Sequence, residues 1–487
     1  MFLVAYGNHF RNPFHFDDDH AIVNNPSVRS LKSIPRFFVD ATTFSVLPLN
    51  QTYRPVTQTT FAVDDRIGGG DPLVFQIDTF IWFVLLLVAL FALVDALTGS
   101  SAQALVATAV FGLHPAMADT VNYVVQRGEI LAALGVVSGL ALYVRRPASR
   151  RTGVFLVPVL AGLLAKQTAA AFPLLLAAFV WIDGRRVWTR DVVVSFIVTV
   201  AASAWIVSRT PATAAYASPT PILYLLTQPF VALRYFATFA LPVSLSVDPG
   251  WAVVGGVRDP ALWTGLAFVA AWLAMVWHLR RLASTRVAAF GLAWFLIAQL
   301  PAALVPLTEV GNSWRMFLPF IGLAIAAVST AAVVLTSARA RVVAVAVVLG
   351  AEAIGVHARN EVWRTDEALW RDATTKNPEN PRAWMNYGVA LIARGDYAGA
   401  VDACERALVI EPNYMLLHVN LGVAYGGSGR RADAEREFLT AQRMAPDDWR
   451  THLYYAQWLD REQRAGEARR ERDRARELNP AAADGVR

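Results

Sequence analysis

The chain has 487 residues, of which 55% are hydrophobic and 17% are charged, and its net charge is +6. Soluble proteins average about 25% charged residues, so this composition excludes an ordinary soluble protein. The long apolar stretches lie between residues 77 and 358, whereas residues 359–487 are rich in Arg, Glu and Asp. We therefore predict an all-α protein, in which a polytopic membrane helical bundle is followed by a soluble C-terminal domain.

The basic excess does not indicate nucleic-acid binding. Arginines form short clusters between apolar stretches, and those near the C-terminus are balanced by acidic residues. Clusters between membrane spans carry topological information instead. The single cysteine, Cys404, excludes an intramolecular disulfide and a cysteine-built metal site. We interpret it as a small buried helix residue.

Four basic loops orient the predicted spans. They are residues 145–151, 183–190, 278–286 and 337–341, and the positive-inside rule places them in the cytoplasm. The alternation then puts residues 12–75, the long loop 209–258 and everything after residue 358 outside. We predict a multi-pass protein of the cell inner (plasma) membrane with an extracytoplasmic C-terminal domain. The predicted spans are 77–97, 102–114, 128–144, 152–165, 168–182, 191–208, 259–279, 286–304, 316–336 and 342–358.

Three apolar segments are shorter than a full membrane crossing requires. Residues 1–10 are too short to cross about 30 Å of hydrocarbon. We therefore expect residues 1–76 to hold the remnant of a first span and the first extracytoplasmic loop, and residues 77–358 to form a membrane domain of about ten helices. Stretches 102–114 and 152–165 are also short. Either their polar ends lie below the outer surface, or they are tilted helices with longer boundaries.

A 34-residue period runs through residues 359–487. Pro378, Pro412, Pro446 and Pro480 follow this step, as do Ala373, Ala407, Ala441 and Ala475. Small residues at helix crossings and a proline closing each unit are typical of the tetratricopeptide repeat. We predict an α-solenoid of three full repeats preceded by a half repeat. Such solenoids present a concave surface to an extended partner, which the period does not identify.

The first outer loop carries three consecutive carboxylates. Asp17, Asp18 and Asp19 lie in the segment FHFDDDHAIVNN, residues 14–25. A run of acids is often only a solvated loop, but an aspartate at a membrane surface can also act as a general base on a hydroxyl group. The later segment QTYRPVTQTT adds Tyr53 and Arg54, which could meet the same pocket.

Four polar positions interrupt the apolar sequence at predicted outer turns: His114, the QRGE of residues 126–129, Lys166 and Arg315. Charged residues flanked by apolar membrane segments are costly, so we treat them as candidate functional residues. Each cation alone is more simply explained by snorkelling to the membrane interface. Several cations beside an acidic base, however, suit a lipid-linked phosphate sugar, because the cations neutralise the departing phosphate.

The order of these motifs resembles that of the transmembrane and tetratricopeptide-repeat-containing O-mannosyltransferases, members of the GT-C glycosyltransferase superfamily. The resemblance rests on FDDDHAIVNN, TYRPVTQTTF, FGLHPAMADTVNYVVQRGEILA, LLAKQTAAAFPLLL and WRMFLPFIGL, followed by the repeats. It implies a GT-C-like bundle that moves a hexose, with mannose favoured, from a polyprenyl-phosphate donor to a hydroxyl acceptor on the extracytoplasmic face. Protein Ser or Thr is the favoured acceptor.

The resemblance also implies residue roles. Asp17 or Asp18 is the catalytic base, and of the two we favour Asp18. The implied donor-phosphate ligands are Arg315, Lys166 and Arg127, and the implied substrate-binding residues are Arg54, Tyr53, His114 and Glu129. Arg315 ranks above Lys166 because a guanidinium can hold a phosphate with two parallel bonds. Gln167, where an acid is expected, departs from the family pattern.

No metal and no other cofactor is expected, since cations can meet the charge of a monophosphate donor, although a metal role for the aspartates stays open. The expected partners are membrane lipid, a polyprenyl-phosphate sugar, and a protein or peptide acceptor that the repeats could bind, with no nucleic acid. Two alternatives remain. One is a non-catalytic membrane scaffold whose repeats dock periplasmic proteins, and the other is a ligase or polymerase of lipid-linked glycans.

Overall fold

The computed structural model describes residues 1–211, 220–307 and 309–479. Its regular elements are helices, which confirms the all-α prediction. Two compact units form: one comprises Met1–Leu245 and Trp251–Trp363, and the other comprises Ser246–Gly250 and the chain from Arg364 onward. Pro480, the last proline of the predicted period, lies outside the described residues.

The first unit holds the apolar helices. Several begin at a side-chain cap followed by proline, as at Asp71 and Asp259, each of which accepts a hydrogen bond from the first helical turn. The α-helices of this unit are Phe2–Ala5, Ile34–Phe37, Pro55–Gly68, Pro72–Thr98, Ser101–Leu113, Pro115–Asn122, Arg127–Arg145, Pro147–Thr152, Leu156–Ala165, Phe172–Ile182, Arg190–Arg209, Pro221–Ala240, Pro260–Leu279, Arg286–Ile297, Leu300–Ala303, Phe317–Val334 and Ala338–Val362.

Among the described residues, eight helices are long and apolar enough to cross a membrane, or nine if a bent pair counts as one span. That pair, Ser101–Leu113 and Pro115–Asn122, bends by 62° at His114. The chain is therefore a multi-pass membrane protein, as predicted. The two stretches predicted as spans 152–165 and 168–182 form only shorter apolar helices that meet at Lys166.

One prediction about this unit was wrong. The stretch 209–258, expected to be a single outer loop, contains the 20-residue helix Pro221–Ala240. Its hydropathy is the lowest of the eight candidate spans. Gln228 and Arg234 interrupt its apolar sequence, so it does not stand out in a search for long uncharged runs.

Glycines allow the closest helix contacts in this unit. A Cβ at Gly135 would collide with the backbone at Pro158 and Gly162, so the helices Arg127–Arg145 and Leu156–Ala165 pack backbone to backbone there. Small residues at helix interfaces are the usual device for close packing in a membrane, where burial of apolar surface drives association little. This contact fixes the two helices whose N-terminal and C-terminal ends carry Glu129 and Lys166.

The second unit consists of a single helix followed by three helix pairs. The helices are Asp366–Lys376, Pro381–Ala393, Tyr397–Ile410, Met415–Gly427, Arg431–Met444, Trp449–Arg461 and Ala465–Leu478. Ala407, Ala441 and Ala475 are fully buried, as expected for helix crossings. Cys404 is also buried, and a Cβ at Gly388 would lie 2.7 Å from its sulfur. Within this unit, Arg382 donates to Asp248 of the segment Ser246–Gly250 at 2.6 Å.

Candidate active site

The acidic loop, residues 14–25, is held in an unusual backbone conformation. Phe16 adopts a positive φ of 50°, which costs a residue with a side chain on the order of 1–3 kcal/mol. A single π-helical turn, Asp19–Val23, follows. The Asn25 side chain donates to the carbonyl oxygens of Thr43 at 2.9 Å and Phe44 at 3.1 Å. These contacts turn the three neighbouring aspartates in different directions.

Asp18 faces the interior and binds backbone. It is fully buried, and its two carboxylate oxygens accept hydrogen bonds from the amides of His15 at 3.0 Å and Val125 at 2.7 Å. Burial raises the pKa of Asp18 to about 7, although both amides favour the ionised form. Asp18 therefore fixes the acidic loop to the turn that precedes the helix Arg127–Arg145.

Asp17 is a half-exposed carboxylate of the loop. Its side chain is 45% exposed, and its Oδ1 lies 3.1 Å from Nε2 of His20, one turn later. Burial of the loop opposes ionisation, but the hydrogen bonds from His20 and Tyr123 and the charge of Arg54 hold the pKa of Asp17 below its ordinary value. Asp17 is thus ionised at neutral pH and accessible. Asp19 is exposed, and its side chain accepts from Asn24 at 2.9 Å.

Tyr123 holds the backbone of Asp17 in place. Its hydroxyl accepts a hydrogen bond from the Asp17 amide at 3.2 Å, and its ring packs against Phe16, Trp314 and Trp363 at centroid distances of 5.4, 5.5 and 6.1 Å. Trp314 precedes Arg315 in the chain. A single aromatic cluster therefore links the acidic loop to the segment that carries Arg315.

Lys166 and Glu129 form a partly enclosed ion pair. Lys166 Nζ lies 2.8 Å from Glu129 Oε1 and donates to Gln126 Oε1 at 2.5 Å. Burial lowers the pKa of Lys166 to about 8; Glu129 opposes this shift, and the positive charges of Arg54 and Arg315 add to it. Lys166 therefore lies within electrostatic range of both arginines. The Lys166–Glu129 pair therefore shares its electrostatic environment with Arg54 and Arg315.

Arg315 borders a small cavity with Glu129. The cavity is also lined by Thr168, Gln228 and Tyr235. Arg315 Nη1 donates to the carbonyl of Glu309 at 2.8 Å, and this hydrogen bond fixes the position of the guanidinium group. Arg54 stacks over Phe44 at 5.3 Å and acts electrostatically on both Asp17 and Lys166. Arg54 thus lies within electrostatic range of Asp17 and of the Lys166–Glu129 pair, and Arg315 lies within range of Lys166.

Arg127 does not fit the donor-phosphate role expected for it. Its side chain is completely buried, and Nη1 lies 2.6 Å from Asp64 and 2.9 Å from Asp78. The remaining groups donate to Thr79 Oγ1 at 2.9 Å and to the Phe75 carbonyl at 2.8 Å. Arg127 instead neutralises two carboxylates between neighbouring helices. The motifs grouped Arg127 with Lys166 as a phosphate ligand, but the helix Arg127–Arg145 directs the Arg127 side chain into the protein interior.

Two expected substrate-binding residues are also structural in their contacts. His114 is buried, accepts from the Ala116 amide at 3.2 Å and lies 3.2 Å from the Phe239 carbonyl, so it caps the helix Pro115–Asn122. Tyr53 is fully buried and donates to the Phe38 carbonyl at 2.8 Å. Neither side chain reaches the cavity beside Arg315. We correct both assignments because interior backbone groups occupy their polar atoms.

Sequence reasoning missed His20 and Tyr123, and it noted Gln126 only as part of the QRGE turn. His20 stands three residues after Asp17, a spacing that brings two side chains together on one helical turn and could have been recognised. Tyr123 and Gln126 lie within the quoted motif of residues 111–132, but nothing in their spacing distinguishes them from core residues. Their contacts with Asp17 and Lys166 exist only in the folded chain.

Comparison with known proteins gives partial matches. The tetratricopeptide-repeat family matches residues 364–414. Protein O-mannosyl-transferase Tmtc3 of Drosophila melanogaster is 27% identical over 192 residues, which are 38% of this chain and 21% of that protein. Protein O-mannosyl-transferase TMTC3 of Homo sapiens is 27% identical over 88 residues, 18% of this chain and 10% of that protein. The chain thus matches about a fifth or less of these relatives.

Yeast Tom70 is among the solved structures that match this chain. The crystal structure of yeast Tom70 covers 77% of this chain and 72% of its own, at 12% identity and a TM-score of 0.23. Because this score is low, the likeness carries no argument about function. The family resemblance predicted from the motifs of the outer loops and from the repeats is confirmed by the relatives and the repeat match.

Proposed function

We propose that this chain, which is related to the tetratricopeptide-repeat O-mannosyl-transferases, transfers a hexose from a polyprenyl-phosphate donor to a protein Ser or Thr hydroxyl. Mannose is the favoured hexose. The reaction takes place at the extracytoplasmic face of the cell inner membrane, and the bundle is of GT-C type. The relatives' names support the mannosyl transfer and the protein acceptor. The observation that carries the proposal is the ionised, accessible Asp17, with Arg54 in electrostatic range of both Asp17 and Lys166.

Asp17 serves as the general base. Its carboxylate takes the proton of the acceptor hydroxyl as the hydroxyl oxygen forms a bond to C1 of the sugar. The bond between C1 and the phosphate oxygen breaks, and the phosphate leaves with the electron pair. One displacement inverts the configuration at C1. His20 donates to Asp17 from the side and orients it, so the open oxygen faces the incoming hydroxyl.

The cations stabilise the leaving group. The polyprenyl phosphate gains negative charge as the C1–oxygen bond breaks, and Arg315, Lys166 and Arg54 supply positive charge at the same site. Glu129 holds the Lys166 ammonium at 2.8 Å, which positions it and keeps it protonated. Tyr123 fixes the Asp17 backbone through its hydroxyl. Asp18 anchors the loop and takes no part in proton transfer, contrary to our preference from the sequence.

The direct test uses the full chain reconstituted in proteoliposomes with radiolabelled polyprenyl-phosphate mannose and a Ser/Thr-containing peptide. We expect label on the peptide with wild-type protein and a rate at least 10²-fold lower with Asp17→Asn. Asp19→Asn is the matched control, because Asp19 is exposed beside the same site, and it should keep the wild-type rate.

Three results would contradict the proposal or its assignment of the base. No transfer to any peptide, together with binding of peptide by the repeats, would support a membrane scaffold. Transfer of label to a lipid-linked glycan but never to a peptide would support a glycan ligase or polymerase. Equal rates for wild type and Asp17→Asn would remove Asp17 as the base even if transfer occurred.

A further inference from the structure

A basic surface lies at the far end of the helix that carries the candidate site. We call the arginine-rich loops 145–151, 183–190 and 278–286 the basic face; together they contain ten arginines and one aspartate. Glu129 lies in the first turn of the helix Arg127–Arg145, and Arg145 ends it. A helix of that length spans about 28 Å, so the basic face and the site are separated by about the thickness of a hydrocarbon core.

Aromatic rings assemble the three loops into one surface. Tyr143 is shared by Arg150, 4.5 Å from the ring centroid, and Arg185, 6.0 Å from it, so the first two loops meet there. Arg280 of the third loop lies 4.1 Å from the ring of Trp181 and 3.9 Å from that of Trp277. Since Trp181 adjoins the second loop, all three loops converge. Stacking of this kind covers the face of a guanidinium and leaves its edge for hydrogen bonds.

This surface holds buried donors that lack an acceptor. In the parts of the chain that the structure describes, Nε of Arg280 and Nε of Arg286 are buried without a hydrogen-bond partner. Neither arginine forms an ion pair with a carboxylate of the described residues; Arg145 and Arg185, by contrast, pair with Asp95 and Asp183 at 2.8 Å each. A buried charged donor without an acceptor is costly, so an anion would stabilise this arrangement.

The surroundings identify the anion as the head of an amphipathic molecule. Arg280 follows directly after the candidate span Pro260–Leu279, so the site lies where an apolar helix ends. Trp188 and Leu282 are largely exposed in the same loops, at 83% and 57%. Exposed tryptophan and arginine together are typical of the headgroup level of a bilayer. A small free anion would use the arginines but not these apolar side chains.

We propose that the basic face is a binding site for an acidic phospholipid, whose phosphate is held by Arg280 and Arg286 and whose acyl chains lie along the adjoining apolar helices. Arg186 and Arg281, both exposed, add long-range attraction to the headgroup. The site is independent of the transferase activity, because none of its residues belongs to the candidate active site.

The test measures thermal unfolding of the purified full chain in detergent while phosphatidylglycerol, phosphatidylcholine or inorganic phosphate is titrated. We expect phosphatidylglycerol to raise the melting temperature and to remain bound in native mass spectra. The double variant R280Q/R286Q should weaken this binding at least tenfold, since each lost bond is charge-assisted. The matched control is R339Q/R341Q, which removes two exposed arginines from the fourth basic loop, and it should leave the binding unchanged.

Four results would overturn the proposal. Equal stabilisation by phosphatidylcholine would show that the headgroup charge is not recognised, and equal stabilisation by inorganic phosphate would show a small-anion site. Equal weakening by R280Q/R286Q and R339Q/R341Q would show only general attraction of charge. If R280Q/R286Q does not fold, the exposed pair R186Q/R281Q replaces it, and an unchanged affinity in that variant would count against the site.

Discussion

His20 Nε2 lies 3.1 Å from Asp17 Oδ1, while Nδ1 of the same ring lies 2.9 Å from Ser45 Oγ. The ring is therefore held from both sides, and its Nε2–H points at the carboxylate. The contact joins the acidic loop to residues 45–47, where Ser45 also accepts from the Leu47 amide at 3.0 Å. Asp17 is thus a half-exposed carboxylate whose orientation is fixed by a histidine, whereas the exposed Asp19 accepts from the Asn24 side-chain amide.

The first prediction separates the two neighbouring aspartates. Asp17→Asn should lower the transfer rate by about 10²–10⁴-fold and leave the melting temperature unchanged, because it removes an exposed base. Asp18→Asn should destabilise the protein by about 1–3 kcal/mol, because the amide N–H₂ then faces a backbone N–H. Transfer rate at saturating donor and thermal unfolding measure the two effects. The reverse pattern would make Asp18 the base.

The second prediction concerns His20 and pH. The hydrogen bond and charge of His20 lower the pKa of Asp17, so its removal should raise that pKa. In His20→Gln the acidic limb of the pH profile of kcat/KM should move to higher pH, and kcat should fall about tenfold. His418→Gln is the control, because His418 pairs with Glu437 in the repeats at 2.7 Å. An unshifted acidic limb in His20→Gln would show that His20 only packs.

The third prediction concerns donor binding at alkaline pH. Lys166 has a pKa lowered to about 8 by burial, so its ammonium is present at pH 7 and lost as the pH rises toward 9. The KM for the donor should rise across this range, by about tenfold or more for the loss of one charge-assisted bond. Lys166→Arg should flatten the rise, because arginine stays protonated. Lys376→Arg, in a surface pair with Asp372, is the control and should keep the wild-type profile.

The fourth prediction concerns topology. Because Cys404 is the single cysteine, a Cys404→Ala background allows single-site labelling. A cysteine at Gly429, in a turn between repeat helices, should react with a membrane-impermeant maleimide in intact cells. A cysteine at Gly184, in the second basic loop, should react only after permeabilisation. Both glycines are clear of neighbouring atoms, although their positive φ values favour glycine. Labelling of Gly184→Cys in intact cells would reverse the orientation.

The same cysteine-labelling experiment tests whether the helix Pro221–Ala240 crosses the membrane completely. Three candidate spans lie between the basic loops 183–190 and 278–286: Arg190–Arg209, Pro221–Ala240 and Pro260–Leu279. Three complete crossings would place these loops on opposite sides of the membrane, whereas the positive-inside rule places both inside. We expect that Pro221–Ala240, which contains Pro229 and the exposed Arg234, does not cross completely. A cysteine at Ala283 should therefore label like one at Gly184.

The fifth prediction concerns the repeats. Ala407→Leu, Ala441→Leu and Ala475→Leu should each destabilise the solenoid by about 1–3 kcal/mol, because each alanine is fully buried at a helix crossing. Hydrogen exchange in the full chain should accelerate across residues 381–478 and stay unchanged across residues 127–145. Val409→Leu is the control, because Val409 is 84% exposed. Unchanged exchange in all three alanine variants would show that these crossings tolerate a large side chain.

The sequence by itself determined the helical class, the repeats and the family. Long apolar runs predict membrane helices because every backbone polar group must be satisfied within the hydrocarbon. The 34-residue period predicts repeats because each helix pair packs only on its neighbours. These signals are local in the chain, so they survive without coordinates. Pro221–Ala240 was missed because its apolar character is diluted by polar residues.

The tertiary structure decided which polar residues form the site. Asp17 and Asp18 are adjacent in sequence, yet the positive φ of Phe16 and the amides of His15 and Val125 turn one outward and the other inward. Arg127 and Lys166 both follow apolar runs, but only Lys166 stands beside the other cations of the site. The direction of a side chain depends on helix rotation and on partners distant in sequence, and motif spacing specifies neither.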